Sequence, residues 1–185
     1  MKTLDQIFAF TDCETTGLRF GTDKVLELAV IFTDAQLTDL YGPLTYTFSV
    51  PGWEDLAGNF VRDMHHKSGL AKRLNDEDPK DLWSYPKADT QLCRILRALP
   101  KAKRLHLAGN SIEFDKRMME ADFPQFSHEL HHRNLNVSSL ILAFGHQGLP
   151  VGGIKKHRAL DDVRESIDIL KHYRNLLPYL MDPPL

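Results

Sequence analysis

Residues 7–18 read Ile7-Phe8-Ala9-Phe10-Thr11-Asp12-Cys13-Glu14-Thr15-Thr16-Gly17-Leu18. The first four are apolar, aromatic and free of breakers, so they read as a short buried strand. Thr15-Thr16-Gly17-Leu18 supplies a turn. Between strand and turn stand two acids, two residues apart. Side chains alternate across a strand, so Asp12 and Glu14 share one face and Cys13 takes the other. Two carboxylates held close repel each other, and one pKa rises unless a cation sits between them. A divalent metal answers that problem, and hard oxygen donors favour Mg²⁺ or Mn²⁺. Taken alone, a solvated Asp-x-Glu at a strand end is the plainer reading.

Working outward, Val25 to Thr33 is a second apolar run, interrupted only by Glu27. Leu44, Tyr46, Phe48 and Val50 alternate with smaller or polar residues and read as a half-buried strand ending at Pro51. Three strands in this order predict an antiparallel meander. Trp53 to Asn75 holds short helical pieces, and Asn75 to Lys87, with Pro79 and Pro86, reads as a loop. Leu92, Ile95, Leu96 and Leu99 place an amphipathic helix over 88–99, stopped by Pro100. Leu105 to Ala108 is a short strand, and Asn110 or Ser111 caps the helix that follows. Asn136 or Ser138 opens another helix through Phe144. Gly145 to Gly153 is a glycine-rich connection. A long helix over 159–177 turns Ile167, Leu170 and Tyr173 inward and ends at Pro178. The fold class expected is α/β, a mixed sheet flanked by helices, in a single domain over 1–185.

Composition narrows the function. The chain has 185 residues, 42% hydrophobic and 26% charged, with a formal net charge of −2. That balance argues against coating long nucleic acid non-specifically, which usually takes a basic protein, but leaves room for a short substrate met by local cations. Cys13 and Cys93 are too few for a disulfide framework and point to a reducing, cytoplasmic compartment. Met1 to Phe10 lacks the features of a signal peptide. No apolar run approaches the roughly 20 residues of a membrane span.

Further acids extend the Asp12–Glu14 pair. Asp115 lies in Gly109-Asn110-Ser111-Ile112-Glu113-Phe114-Asp115, where an ordinary surface acid is the plainer reading, as for Glu113 and Asp122. Asp161 and Asp162 open the last helix, where acids are common for dipole reasons. They point different ways, so at most one of them serves a site. His157 stands five residues before Asp162. A histidine beside such carboxylates is a natural general base, because its ordinary pKa lies near working pH. Lys155, Lys156 and Arg158 flank it, as a solvated loop or as a local positive field. His65-His66 and His131-His132 lack the spacing of a zinc site. Cys13 reads as a small core residue, and Trp53 and Trp83 as packing anchors.

In order along the chain, Asp12, Glu14, Asp115, His157 and Asp162 resemble the acids and histidine of the DEDDh 3′-to-5′ exonucleases. Longer blocks resemble oligoribonuclease: Asp12 to Leu18, Lys67-Ser68-Gly69-Leu70, Gly109-Asn110-Ser111, His132-Arg133 with Val137-Ser138, and His157 through Ser166. The resemblance implies a ribonuclease-H-like fold and a two-metal hydrolysis of short single-stranded RNA oligomers to 5′-mononucleotides. By similarity Asp12 bridges both ions, Glu14 and Asp162 hold the ion carrying the attacking water, Asp115 supports the second, and His157 takes the proton. Leu18 matches a wedge between the last two bases. Ser111 and His65 match positions near the scissile end, and Arg133 and Ser138 match positions that cap the substrate's 5′ phosphate. For Arg133 a rim salt bridge is an equal reading. His132 stands where the family has tyrosine, Asn136 where it has aspartate, and Asn59 or Phe60 falls near an expected tryptophan. His132 and Phe60 can stack on bases. A homodimer is implied, with 128–140 near the partner. Thr15-Thr16 resembles the proofreading DNA exonucleases instead, so single-stranded DNA is the alternative substrate. An inert nucleic-acid-binding module is the third reading, and the full set of acids and histidine argues against it.

Overall fold

The computed structural model describes residues 3–145 and 157–181, with only the backbone described over 177–181. The opening run forms β1, Ile7–Thr15, which carries on past the expected apolar stretch through both acids into the turn. It pairs antiparallel with β2, Val25–Asp34, and β2 pairs antiparallel with β3, Asp39–Thr47. The expected meander is therefore present, although β3 starts and ends earlier than 44–50. Its continuation at Phe48 meets Trp83 as an isolated bridge.

Helices α1 (Trp53–Leu56), α2 (Asn59–Ser68) and α3 (Leu70–Asp76) follow as short pieces. Helix α4, Tyr85–Ala98, begins inside the expected loop, because Pro86 sits in its first turn, where its missing N–H costs nothing. Strand β4, Leu105–Gly109, runs parallel to β1 on the side away from β2. After α5 (Glu113–Asp122) and α6 (Pro124–Glu129), the two-residue strand β5, Leu135–Asn136, adds parallel to β4. Helices α7 (Val137–Phe144) and α8 (Ala159–Met181) complete the described chain. The strand order is β3-β2-β1-β4-β5.

The period of two along β1 divides the core. Ile7 and Ala9 join Leu28, Val30 and Phe32 of β2 beneath α4, α5 and α6. Phe8 and Phe10 join Ala29 and Ile31 beneath α7 and α8. Asp12 and Glu14 continue the Phe8–Phe10 parity and so emerge on the α8 side, whereas Cys13 packs against the other layer.

Two expectations about helix ends need correction. Pro178 lies inside α8 and does not end it. A proline removes one amide donor, and the helix persists because Ile167, Ile169, Leu170 and Tyr173 anchor it on the sheet. Neither Asn110 nor Ser111 caps α5: Ile112 occupies the cap position, with no side-chain hydrogen bond. The expectation for α7 holds, with Asn136 Oδ1 accepting from Ser138 N at 3.1 Å. Most of the glycine-rich connection 145–153 lies outside the described residues, as do Lys155 and Lys156.

Candidate active site

The C-terminal ends of the parallel strands β1 and β4 open into a cleft of about 440 Å³, lined by Asp12, Cys13, Glu14, Leu18, Asn110, Ser111, Phe114, Asp115, His157, Asp162 and Glu165. Thus Asp12, Glu14, Asp115, His157 and Asp162, drawn from three separate parts of the sequence, meet in one place. Asp12 and Glu14 come from β1, Asp115 from the first turn of α5, and Asp162 from the first turn of α8.

Asp12, Glu14 and Asp162 each bring an oxygen within 4.8 Å of the others. Asp115 is buried beside them, its Oδ1 accepting from the Cys13 amide at 2.8 Å. Burial, then the Asp162 and Glu27 carboxylates, push Glu14 up to about 8, against the pull of Arg158. Burial also raises Asp115 above the usual carboxylate range, although the Cys13 amide opposes this. Burial and then the surrounding acids raise the Cys13 thiol well above its ordinary value, which makes it a poor nucleophile. Hard oxygen donors this close fit a divalent metal ion.

The backbone around the site is tightly constrained. A Cβ on Gly109 would lie 2.5 Å from the Thr11 carbonyl oxygen, so the close approach of β4 to β1 needs glycine there. Ser111 and His157 hold left-handed backbone at φ 51° and 50°. Such conformations persist only where surrounding contacts enforce them. Ser138 knots one wall together: its hydroxyl donates to Asn110 Oδ1 at 2.7 Å and accepts from Ser111 N at 2.7 Å. The Ser111 hydroxyl also lies 3.2 Å from the Ser138 hydroxyl, so the side-chain oxygens of Asn110 and Ser111 are turned to Ser138 and neither caps α5. Leu18 stands 75% exposed at the mouth, on a turn pinned by Asp23, which accepts from Thr16 Oγ1 and Arg19 N.

Other expected site residues fall elsewhere. His65 is fully buried and does not line the cleft. Its Nε2 donates to the Thr15 carbonyl at 2.9 Å, and its Nδ1 faces Glu14 Oε2 at 3.8 Å, which places it behind the acid. His132 and Arg133 are exposed outside the cleft wall. His132 stacks on His131 at 4.1 Å between ring centroids, and the Arg133 carbonyl accepts from His106 Nδ1 at 2.7 Å. Arg158 is no loop cation but is paired with Glu27. Two further acids stand at the site without an assigned role in the sequence motifs: Glu27, the single interruption of the apolar run 25–33, and Glu165, one helical turn beyond Asp162. Phe114 also lines the wall and packs on Phe20 at 5.6 Å.

Comparison with known proteins agrees with this geometry. The family model described as exonuclease (RNase_T) matches residues 9–170. An oligoribonuclease of Cutibacterium acnes is 35% identical over 180 residues, covering 92% of this chain and 86% of its own length. One of Rhodococcus jostii is 37% identical over 175 residues, covering 88% and 83%. Among solved structures, Escherichia coli exonuclease I in its zinc-bound complex with single-stranded DNA superposes with a TM-score of 0.62 at 16% identity, over 98% of this chain. The same enzyme with a dT13 oligonucleotide gives 0.57 at 18%. The chain spans under half the length of exonuclease I, 42% in the first case. At that identity the likeness carries the fold, a ribonuclease-H-like mixed sheet.

Proposed function

Because the chain belongs to the exonuclease family and groups with its oligoribonucleases, we propose that this 3′-to-5′ exonuclease trims short single-stranded RNA oligomers to 5′-mononucleotides, as one exonuclease domain over 1–185. The convergence of Asp12, Glu14, Asp115, His157 and Asp162 in one cleft carries the proposal. The oligoribonuclease relatives support RNA as the substrate.

In this reading Asp12, Glu14 and Asp162 hold a divalent cation, Mg²⁺ or Mn²⁺, and Asp115 helps Asp12 hold a second. Bound there, such ions supply Lewis acidity at the scissile phosphate and make water acidic enough to attack at neutral pH. His157 accepts the proton of the attacking water at a ring nitrogen while the water oxygen bonds to the phosphorus of the 3′-terminal nucleotide. In line with that attack the P–O3′ bond to the penultimate nucleotide breaks, and its 3′ oxygen leaves and takes up a proton to become the new 3′ hydroxyl. Leu18, exposed at the mouth, wedges between the last two bases. Ser111, fixed by Ser138, steadies the 3′-terminal sugar and phosphate. His65 acts from behind, bracing Glu14. Arg133, with a planar guanidinium suited to a phosphate, and His132, as a stacking ring, serve the 5′ end across a homodimer contact near 128–140. The free thiols Cys13 and Cys93 suit a reducing compartment, the cytoplasm. Among the described residues no helix is long and apolar enough to cross a membrane.

The test is product analysis on a 5′-labelled RNA oligomer with Mn²⁺. Shortening from the 3′ end with release of 5′-mononucleotides is expected, lost in a folded Asp12→Ala variant. Internal cleavage, 3′-phosphate products, or unchanged turnover in Asp12→Ala would overturn the proposal.

A further inference from the structure

Glu27 is an anomaly inside β2. It is completely buried, the one acid between Val25 and Thr33, where every other residue of the strand is apolar or threonine. An isolated buried carboxyl group is strongly disfavoured, so a glutamate placed there needs partners. Its surroundings supply three hydrogen bonds. Arg158 Nη2 donates to Oε1 at 2.7 Å, Arg158 Nε donates to Oε2 at 3.1 Å, and the Ala159 amide donates to Oε2 at 3.1 Å. The first two form a planar fork, the geometry in which a guanidinium fixes orientation as well as charge.

What this carboxylate grips is the corner that carries two site residues. His157 immediately precedes Arg158, in left-handed backbone that a histidine rarely adopts. The Arg158 carbonyl accepts from the amides of Asp161 and Asp162, so the same residue closes the first turn of α8. On the sheet, Glu27 lies directly opposite Glu14 in the β1–β2 register. One buried side chain therefore ties the His157–Asp162 corner to the strand position next to Glu14, across 131 residues of sequence.

We propose that Glu27 is a positioning residue: through Arg158 and the Ala159 amide it sets His157 and Asp162 against Asp12 and Glu14. The proposal rests on the reading that His157 and Asp162 serve the hydrolysis. Residues that orient ligands and bases from behind typically change activity about 10–100-fold when altered.

The experiment uses the full chain with an RNA oligomer and Mn²⁺, comparing Glu27→Gln, Arg158→Ala, Arg158→Lys, Glu27→Gln/Arg158→Ala and His157→Ala, each checked for folding by circular dichroism. Glu27→Gln and Arg158→Ala are expected to lose about 10–100-fold in kcat with KM held within about threefold. Arg158→Lys keeps the charge without the fork and is expected to fall with Arg158→Ala. The double variant is expected to be no worse than the worse single variant. Free guanidinium ion, against a matched sodium chloride control, should restore Arg158→Ala but not the double variant, a split that general destabilisation does not produce. In metal-free protein, amide exchange over 158–162 should quicken in Arg158→Ala while β1 and β2 stay protected. If Glu27→Gln fails to fold, the Arg158 variants and the guanidinium rescue still decide. Near-native kcat in Arg158→Ala and Arg158→Lys beside an inactive His157→Ala would overturn the positioning role alone. Losses that multiply in the double variant without guanidinium rescue would also overturn it. A fully active His157→Ala would instead overturn the reading of the site on which the proposal stands.

Discussion

At the scale of single residues, the site is governed by where charge is buried. Glu14 keeps its proton in the folded chain up to about 8, whereas its ordinary value is 4.5. Between those values the folded state binds more protons than the unfolded state, so stability falls as pH rises. Without metal, the melting temperature should therefore drop from pH 5 toward pH 8, and added Mg²⁺ should recover more of it at pH 8 than at pH 5. A thermal scan across that range checks both signs, and a flat profile that Mg²⁺ does not change would contradict them. His157→Ala should lower kcat by about 10²–10⁴-fold, the usual contribution of a general base, with metal affinity largely kept. Steady-state kinetics beside a calorimetric Mn²⁺ titration separates the two effects. Taken one at a time the cleft acids read as solvated or helix-start residues; what made the five legible as a set was their order along the chain, which resembles that of the DEDDh exonucleases. Glu27 was not legible, since a lone acid in an apolar run declares only that some partner exists. That partner, Arg158, lies 131 residues away in sequence.

At the scale of elements, the strands were easier to read than their limits. Ile7 to Phe10 announced β1 by its apolar run, but Asp12 and Glu14 hid its continuation to Thr15, because polarity is what a strand end shows when it lines a cleft. β5 has two residues, too few for any period, and exists because Leu135 and Asn136 meet Ala108 and Gly109. Pro178 misled in the other direction, since tertiary anchoring of α8 outweighs one lost amide donor. The close β1–β4 approach makes Gly109→Ala an overpacked variant, expected to lose about 1–3 kcal/mol by denaturant unfolding. An unchanged midpoint would mean that the strands separate without strain. Asn136→Ala removes the cap of α7 and should cost about 1 kcal/mol in the same assay.

At the scale of the whole molecule, sheet and helices place the acids at one end of β1 while His132 and Arg133 lie beyond the cleft wall. A single chain therefore offers an open acidic site whose proposed contacts for the far end of a substrate stand apart from it. Under the homodimer reading, sedimentation should give twice the chain mass at micromolar protein, and Arg133→Ala should weaken binding of 5′-phosphorylated oligomers more than of unphosphorylated ones. A monomer with full activity would remove the partner from the account. The most direct measurement is turnover of a 5′-labelled RNA dinucleotide beside a longer RNA and a DNA oligomer of matched sequence, with Mg²⁺ or Mn²⁺ and Asp162→Ala as control. Fast cleavage of the dinucleotide, slower cleavage of the longer strands and no turnover in Asp162→Ala are expected. Preference for DNA or for the longer RNA, or cleavage that survives Asp162→Ala, would contradict a short-RNA exonuclease built on this cleft.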